Sequence, residues 1–158
     1  MKFHEVSTAF AAIAATSSRT EITQLLAVLL QKASAEEART ISYLSLGLLR
    51  PAYEGTQFNL ADRSVKKILA DLLELPEEKI TALARETGDL GEVAAQGSWH
   101  VHTHLTVHEV FDALQALETI SGKGSQEESA QEFSKLLKKL EPEGASLFVR
   151  SVLGRVGF

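Results

Sequence analysis

One helix-start pattern, repeated four times, constrains the fold of this 158-residue chain more than any other feature of its sequence. In each copy a serine or threonine stands three residues before a glutamate, which is the spacing of a capping box. The hydroxyl of such a pair accepts a hydrogen bond from the first helical turn, and the carboxylate accepts one from the N–H of the capping residue. Apolar residues at helical spacing follow each copy, so each predicts an amphipathic helix. The four pairs are Ser18 and Glu21, Ser34 and Glu37, Thr106 and Glu109, and Ser125 and Glu128.

Caps, prolines and apolar spacing predict the remaining helix boundaries. Apolar residues recur at helical spacing over residues 2–15, which predicts a first helix there. In the helix that opens at Ser18, the apolar stripe that ends with Leu29 and Leu30 is expected to be buried. Single residues predict other boundaries: Asp62 and Asp89 as N-caps, Pro76 and Pro142 at helix starts, and Gly154 as a C-cap.

The coarse organisation of the chain is helical throughout. No segment shows sustained alternation of apolar and polar residues, and residues 51–61 and 96–105 have the composition of connections. With 44% hydrophobic residues the chain is able to form a core of its own. The sequence therefore predicts an all-α fold: a single domain over residues 1–158, an irregular bundle of roughly nine helices that includes helix-turn-helix pairs.

Composition limits the possible partners and compartments. The chain has no cysteine, which excludes disulfides and thiolate metal sites, and it has neither a signal-peptide core nor an apolar run of membrane-spanning length. We therefore expect an intracellular protein with no membrane segment. The net charge of −5 argues against nucleic acid as a partner, but five basic and only two acidic residues follow position 134, so a local basic face is possible.

Three alternating histidines suggest one candidate metal site. His100, His102 and His104 lie in the connection at 96–105, where alternation would place them on one face of an extended segment. They lack the helical spacing common in zinc sites, and no acidic residue lies within the run. A solvated loop without a metal is the favoured interpretation, and a small metalloenzyme remains the alternative.

A glycine-rich segment between two predicted helices is a candidate anion site. Gly122 and Gly124 would let the backbone approach a ligand, Lys123 adds a positive charge, and the helix opening at Ser125 would present free N–H groups. An ordinary inter-helix turn is the alternative. The chain shows no nucleophile elbow, zinc-protease helix or P-loop, so the sequence predicts a binding module rather than an enzyme.

Seven segments, taken in order, resemble the N-terminal DNA-binding domain of ATP-dependent DNA ligases of the archaeal and eukaryotic replicative type. Their order and spacing carry the resemblance, which runs nearly from end to end. They include Thr-Gly-Asp-Leu-Gly-Glu-Val-Ala at 87–94 and Val-Arg-Ser-Val-Leu-Gly-Arg at 149–155. The other five segments are residues 18–22, 43–51, 54–61, 105–110 and 122–125.

The resemblance implies a function and a set of contact residues. Such domains encircle duplex DNA together with the catalytic core and hold the minor-groove side of a nicked duplex through phosphates, in replication, repair and recombination. Arg150 would support the last loop or pair with an acidic neighbour. Three phosphate sites are implied: the first at Ser18 and Arg19, the second at Gly122, Lys123, Gly124 and Ser125, and the third at Gly154 and Arg155.

The chain departs from the family pattern in two places. The final loop, from Gly154 onward, is shorter than the family's by about an arginine and its neighbour. The family's nucleophile is a lysine in a Lys-x-Asp-Gly motif that reacts with ATP, and none of the nine lysines here is followed by that pattern. ATP and Mg²⁺ would therefore be bound by the catalytic core of a parent ligase, which is an implied partner, and this chain would bind no cofactor. The alternative is a helical protein-interaction scaffold that does not bind DNA.

Overall fold

The chain folds into nine α-helices in a computed structural model that describes residues 1–56, 58, 60–101, 104–123 and 126–156. One 3₁₀ turn, Ala52–Glu54, lies between the third and fourth helices. The predicted all-α fold is confirmed. The helices are α1 Phe3–Ala14, α2 Arg19–Gln31, α3 Ala35–Ser45, α4 Asp62–Leu73, α5 Glu77–Thr87, α6 Leu90–Ala95, α7 Val107–Lys123, α8 Gln126–Leu137 and α9 Pro142–Leu153.

Two of the predicted capping boxes form completely. At α3 the Glu37 N–H donates to Ser34 Oγ at 3.1 Å, and the Ser34 N–H donates to Glu37 Oε1 at 2.9 Å. At α7 the same two bonds join Thr106 and Glu109, both at 3.1 Å. The hydrogen bonds from Thr106 also lower the pKa of Glu109. Both helix starts are therefore set by residues three apart in the chain, as the sequence predicts.

The capping at α2 is only half of a box. Ser18 Oγ accepts from the Glu21 N–H at 3.3 Å, but the Glu21 carboxylate accepts from the Thr16 hydroxyl at 2.9 Å instead of from Ser18. The Ser18 N–H donates to Thr16 Oγ1 at 3.2 Å, so the Thr16 hydroxyl bridges the Ser18 N–H and the Glu21 carboxylate. The fourth predicted box cannot be compared, because Ser125 lies outside the described residues.

The predicted cap at Asp62 is wrong. Asp62 is the first residue of α4, and the capping residue is Ala61, which makes no side-chain cap bond. An N-cap needs extended backbone so that its side chain can turn back to the first-turn N–H groups, and Asp62 is already helical. Pro76 is likewise the N-cap of α5 and not its first residue. Asp89 caps α6 by accepting from the Gly91 N–H at 3.0 Å, as predicted.

The core is centred on α9, which packs closely against α6 and α1. Eight of its twelve residues are buried. The ring of Phe148 in α9 stacks on that of Phe133 in α8, with 5.7 Å between centroids. Pro142 opens α9 and Gly154 ends it with a left-handed φ of 68°, both as the sequence predicts.

Helix α2 lies at the edge of this core. It packs mainly against α1, and Leu29 is the buried member of its apolar stripe. Leu30 is 36% exposed and Val28 is 52% exposed, so the expectation that the stripe is buried to its end is wrong for Leu30. A helix with a single packing partner can bury only one side of its apolar surface.

The two predicted connections are attached to the helices by hydrogen bonds. Arg50 donates to the Gly55 carbonyl at 2.6 Å and forms an ion pair with Glu118 of α7. The Trp99 indole N–H donates to the Leu140 carbonyl at 2.7 Å, which ties the segment after α6 to the turn before α9. Both connections are therefore fixed at defined points on the helical framework.

Candidate nucleic-acid interface

The first predicted phosphate site lies at the exposed start of α2. Ser18 is the N-cap and Arg19 is the first helical residue, and both are exposed. The Arg19 guanidinium has no hydrogen bond or ion pair with any residue that the structure describes. The first N–H groups of a helix have no carbonyl of that helix to bond, so this end combines free donors with a free cation.

The second predicted site begins at the end of one helix and not, as was expected, at the start of the next. Gly122 and Lys123 are the last residues of α7 and not the start of α8, which begins at Gln126. Helix α7 continues this far because Leu114, Leu117 and Ser121 keep one face buried. Gly122 is exposed, and a Cβ at Gly122 would meet nothing within 4 Å. Gly124 and Ser125 lie outside the described residues.

The third predicted site follows the C-cap of α9. The Arg155 N–H donates to the Arg150 carbonyl at 2.8 Å, which sets the direction of the chain after Gly154. The Arg155 Nη2 lies 3.0 Å from both carboxylate oxygens of Asp62. Side-chain exposures of 50% for Arg155 and 46% for Asp62 leave this pair accessible to solvent.

The sequence analysis did not identify Asp62 as the partner of Arg155. It lies 93 positions before Arg155, and a contact at that separation leaves no spacing signal in a single sequence. An exposed pair of this kind contributes about 0–1 kcal/mol, so a phosphate can replace the carboxylate at small cost.

Arg150 belongs to the helix framework. Its Nε lies 2.6 Å from Asp89 Oδ2 and its Nη2 lies 2.8 Å from Glu92 Oε1. Burial acts to lower the pKa of Arg150, but the hydrogen bonds and charges of Asp89 and Glu92 outweigh burial, and the pKa is raised. A Cβ at Gly91 would lie 2.7 Å from the Arg150 Nε, so glycine is needed for this approach. Of the two predicted roles, the structure shows pairing with acidic neighbours.

The third site and the end of α1 border one cleft. Ala14, the last residue of α1, and its C-cap Ala15 line this cleft of about 520 Å³ with Arg155 and Val156, and neither Ser18 nor Arg19 is among its lining residues. A separate cleft of about 1200 Å³ lies between α4 and the α7–α8 junction. Residues 120 and 126, which flank the second site, line this larger cleft. Helix α4 lies between the two regions, since its first residue binds Arg155 and its later residues face the junction.

The described residues of the histidine segment show no metal geometry. Among the described residues, no three His, Asp or Glu side chains are grouped closely enough to hold a metal ion, and His102 lies outside that set. His104 and His4 face Glu141, at 3.8 Å and 2.6 Å from its carboxylate oxygens. Within the same ranges, no helix has the length and apolarity needed to cross a membrane.

Comparison with known proteins shows which family the sequence matches. The model of the family described as "DNA ligase N terminus" matches residues 2–157. DNA ligase 1 of Methanosarcina mazei is 34% identical over 156 residues, which is 99% of this chain and 27% of that protein. A DNA ligase of Pyrobaculum islandicum is 31% identical over 166 residues, 99% of this chain and 28% of its own length. The chain thus spans about a quarter of the length of the curated relatives it matches.

Proposed function

This chain belongs to the DNA ligase N-terminus family, and we propose that it binds duplex DNA through phosphates, whatever the base sequence, as the DNA-binding domain of an ATP-dependent DNA ligase. In this proposal it holds the minor-groove side of a nicked duplex for the catalytic core of the parent protein. The processes served are replication, repair and recombination.

The observation that carries the proposal is the pair of exposed arginines at helix ends, Arg19 as the first residue of α2 and Arg155 after α9. Arginine and helix N-termini bind phosphate through charge and N–H donors, and neither reads the base attached to it. The net charge of −5 does not oppose this proposal, because a phosphate responds to the charges within about 10 Å at ordinary salt.

The chemical step of ligation belongs to other parts of the parent protein. No lysine of this chain stands in a Lys-x-Asp-Gly motif, so ATP and Mg²⁺ would be bound by the catalytic core. The contribution of this chain to ligation is affinity and positioning, which lower the barrier by fixing the nick relative to the reacting groups.

The test is fluorescence anisotropy of the purified chain with nicked and intact duplexes of unrelated sequence over a range of salt concentrations. We expect similar affinities across sequences and a steep loss of affinity as salt rises. Arg19→Ala, Lys123→Ala and Arg155→Ala should each reduce the salt slope by about one unit. Lys32→Ala is the matched control, because Lys32 is exposed at the opposite end of α2 from Arg19.

Two outcomes would count against the proposal. Absence of binding at low salt would contradict DNA binding by this chain and favour the interaction-scaffold alternative. Binding that persists with the same slope in all three variants would refute the assigned residues. Ser125→Ala is a poorer probe, since loss of a helix cap costs about 1 kcal/mol of stability and its binding must be measured on folded protein.

A further inference from the structure

A smaller cleft of about 240 Å³ lies between α4 and α5 and reaches Arg155. Helix α4 contributes Asp62 and Lys66, which are four residues apart and so share one face of the helix. Helix α5 contributes positions 81, 84 and 85, and its C-cap Gly88 continues the same face. The cleft is therefore built from two facing helix surfaces, with Arg155 at the edge.

The charges in this cleft do not cancel. Its basic side chains are Lys66, Arg85 and Arg155, and its acidic ones are Asp62 and Asp89. Asp62 forms an ion pair with Arg155, and Asp89 forms one with Arg150, which does not line this cleft. Lys66 and Arg85 have no hydrogen bond or ion pair with any described residue. The lining therefore sums to +1, and Lys66 and Arg85 are its two cations without a described partner.

The two larger clefts have the opposite balance. The cleft between α4 and α8 is lined by three lysines against four acidic residues. The cleft between α1 and α9 is lined by two arginines against three acidic residues. A phosphate entering either would face a net negative lining, so the smaller cleft suits an anion better than its larger neighbours.

The cleft also has room for a backbone to approach. Ala84 and Gly88 present little side-chain volume along the α5 face. Gly88 is exposed with a left-handed φ of 80°, and a Cβ built there would meet nothing within 4 Å. Thr81, two turns earlier, offers a hydroxyl donor. Gly88 therefore leaves open space at this edge of the cleft.

We infer that this cleft is a further phosphate-binding site for the DNA backbone, in which Lys66 and Arg85 bind a phosphate beside one bound by Arg155. The inference rests on the proposed function, because it extends the path of a duplex from the third site onto α4 and α5. Lys66 is half-buried and lines the cleft.

The experiment compares Lys66→Met and Arg85→Ala with wild-type chain in the same anisotropy and salt series. Methionine keeps the stem of Lys66 and removes the charge, so folding should be preserved. Each variant should bind several-fold more weakly at fixed salt and reduce the salt slope by about one unit. Lys66→Arg should restore the wild-type slope. Lys79→Ala is the matched control, because Lys79 is exposed on α5 and does not line the cleft.

The outcomes separate this inference from the proposed function. If wild-type chain binds and Arg19→Ala lowers the slope, but Lys66→Met and Arg85→Ala behave like Lys79→Ala, the cleft assignment is refuted and DNA binding stands. If wild-type chain does not bind at low salt, both fail. A thermal unfolding curve of each variant shows that a weakened affinity belongs to folded protein.

Discussion

At the scale of single residues, two arginines near the end of α9 show how burial decides the role of a charge. Arg150 and Arg155 are five positions apart, and each is bound to aspartate. The Arg150 and Asp89 side chains are each 22% exposed, whereas Arg155 and Asp62 are about half exposed. Burial makes the first pair structural, because losing one partner would leave a charge in a poorly solvated position. The Arg155–Asp62 pair can separate at little cost, because water solvates both charges.

This difference predicts unequal effects on stability. Arg150→Ala should lower the free energy of unfolding by about 2 kcal/mol, because Asp89 keeps its burial and loses its charge partner. Arg155→Ala is the matched control and should cost less than about 1 kcal/mol. Urea denaturation of both variants measures the two values. Equal losses would contradict the assignment of Arg150 to the framework and of Arg155 to the exposed surface.

A second prediction at this scale concerns Glu37 and pH. The hydrogen bond from the N-terminal amino group of Met1, at 2.5 Å, and then the one from the Ser34 N–H lower the pKa of Glu37 from 4.5 to about 2. Because the folded-state pKa is the lower one, its stabilising contribution is complete above about pH 4.5 and is lost as pH falls towards 2.

The measurement for Glu37 is urea denaturation at several pH values between 2 and 6. Glu37→Gln retains an acceptor for the Ser34 N–H and does not titrate, so the difference in stability between wild type and variant should shrink as pH falls through that window. Two curves that stay parallel from pH 6 to pH 2 would contradict the cause assigned to the pKa shift.

At the scale of helices, burial is distributed unevenly, and α2 and α9 are the extremes that matter for the site. Helix α2 has one buried residue in thirteen, whereas α9 has eight in twelve. Local opening is easiest where few apolar contacts hold an element. Native-state hydrogen exchange should therefore show faster exchange of the α2 amides than of those in α9. Equal protection in the two helices would contradict this prediction.

The helix boundaries also show how far a single sequence can predict this fold. The boxes at Ser34 and Thr106, the cap at Asp89 and the C-cap at Gly154 form as predicted, because each depends on groups within a few residues. Two of the wrong predictions involve distant parts of the chain. Asp62 binds Arg155 instead of capping its helix, and α7 runs through Gly122 because the core keeps its face buried.

At the scale of the whole molecule, the arrangement of charge matters more than its sum. The chain carries a net charge of −5, yet Lys66 and Arg85, which have no partner among the described residues, line a cleft with Arg155 of the third predicted phosphate site. An acidic protein can therefore contain a local basic region suited to phosphate.

The sequence by itself determined the all-α class, most helix boundaries and the family resemblance, since these depend on spacing within a few residues or on order along the chain. Only the tertiary structure decided that Arg150 is structural, that Arg155 is paired with Asp62, and that Lys66 and Arg85 share a cleft. The physical reason is distance along the chain. Asp62 and Arg155 are 93 residues apart, and only the packing of α4, α5 and α9 brings such groups within reach of one another.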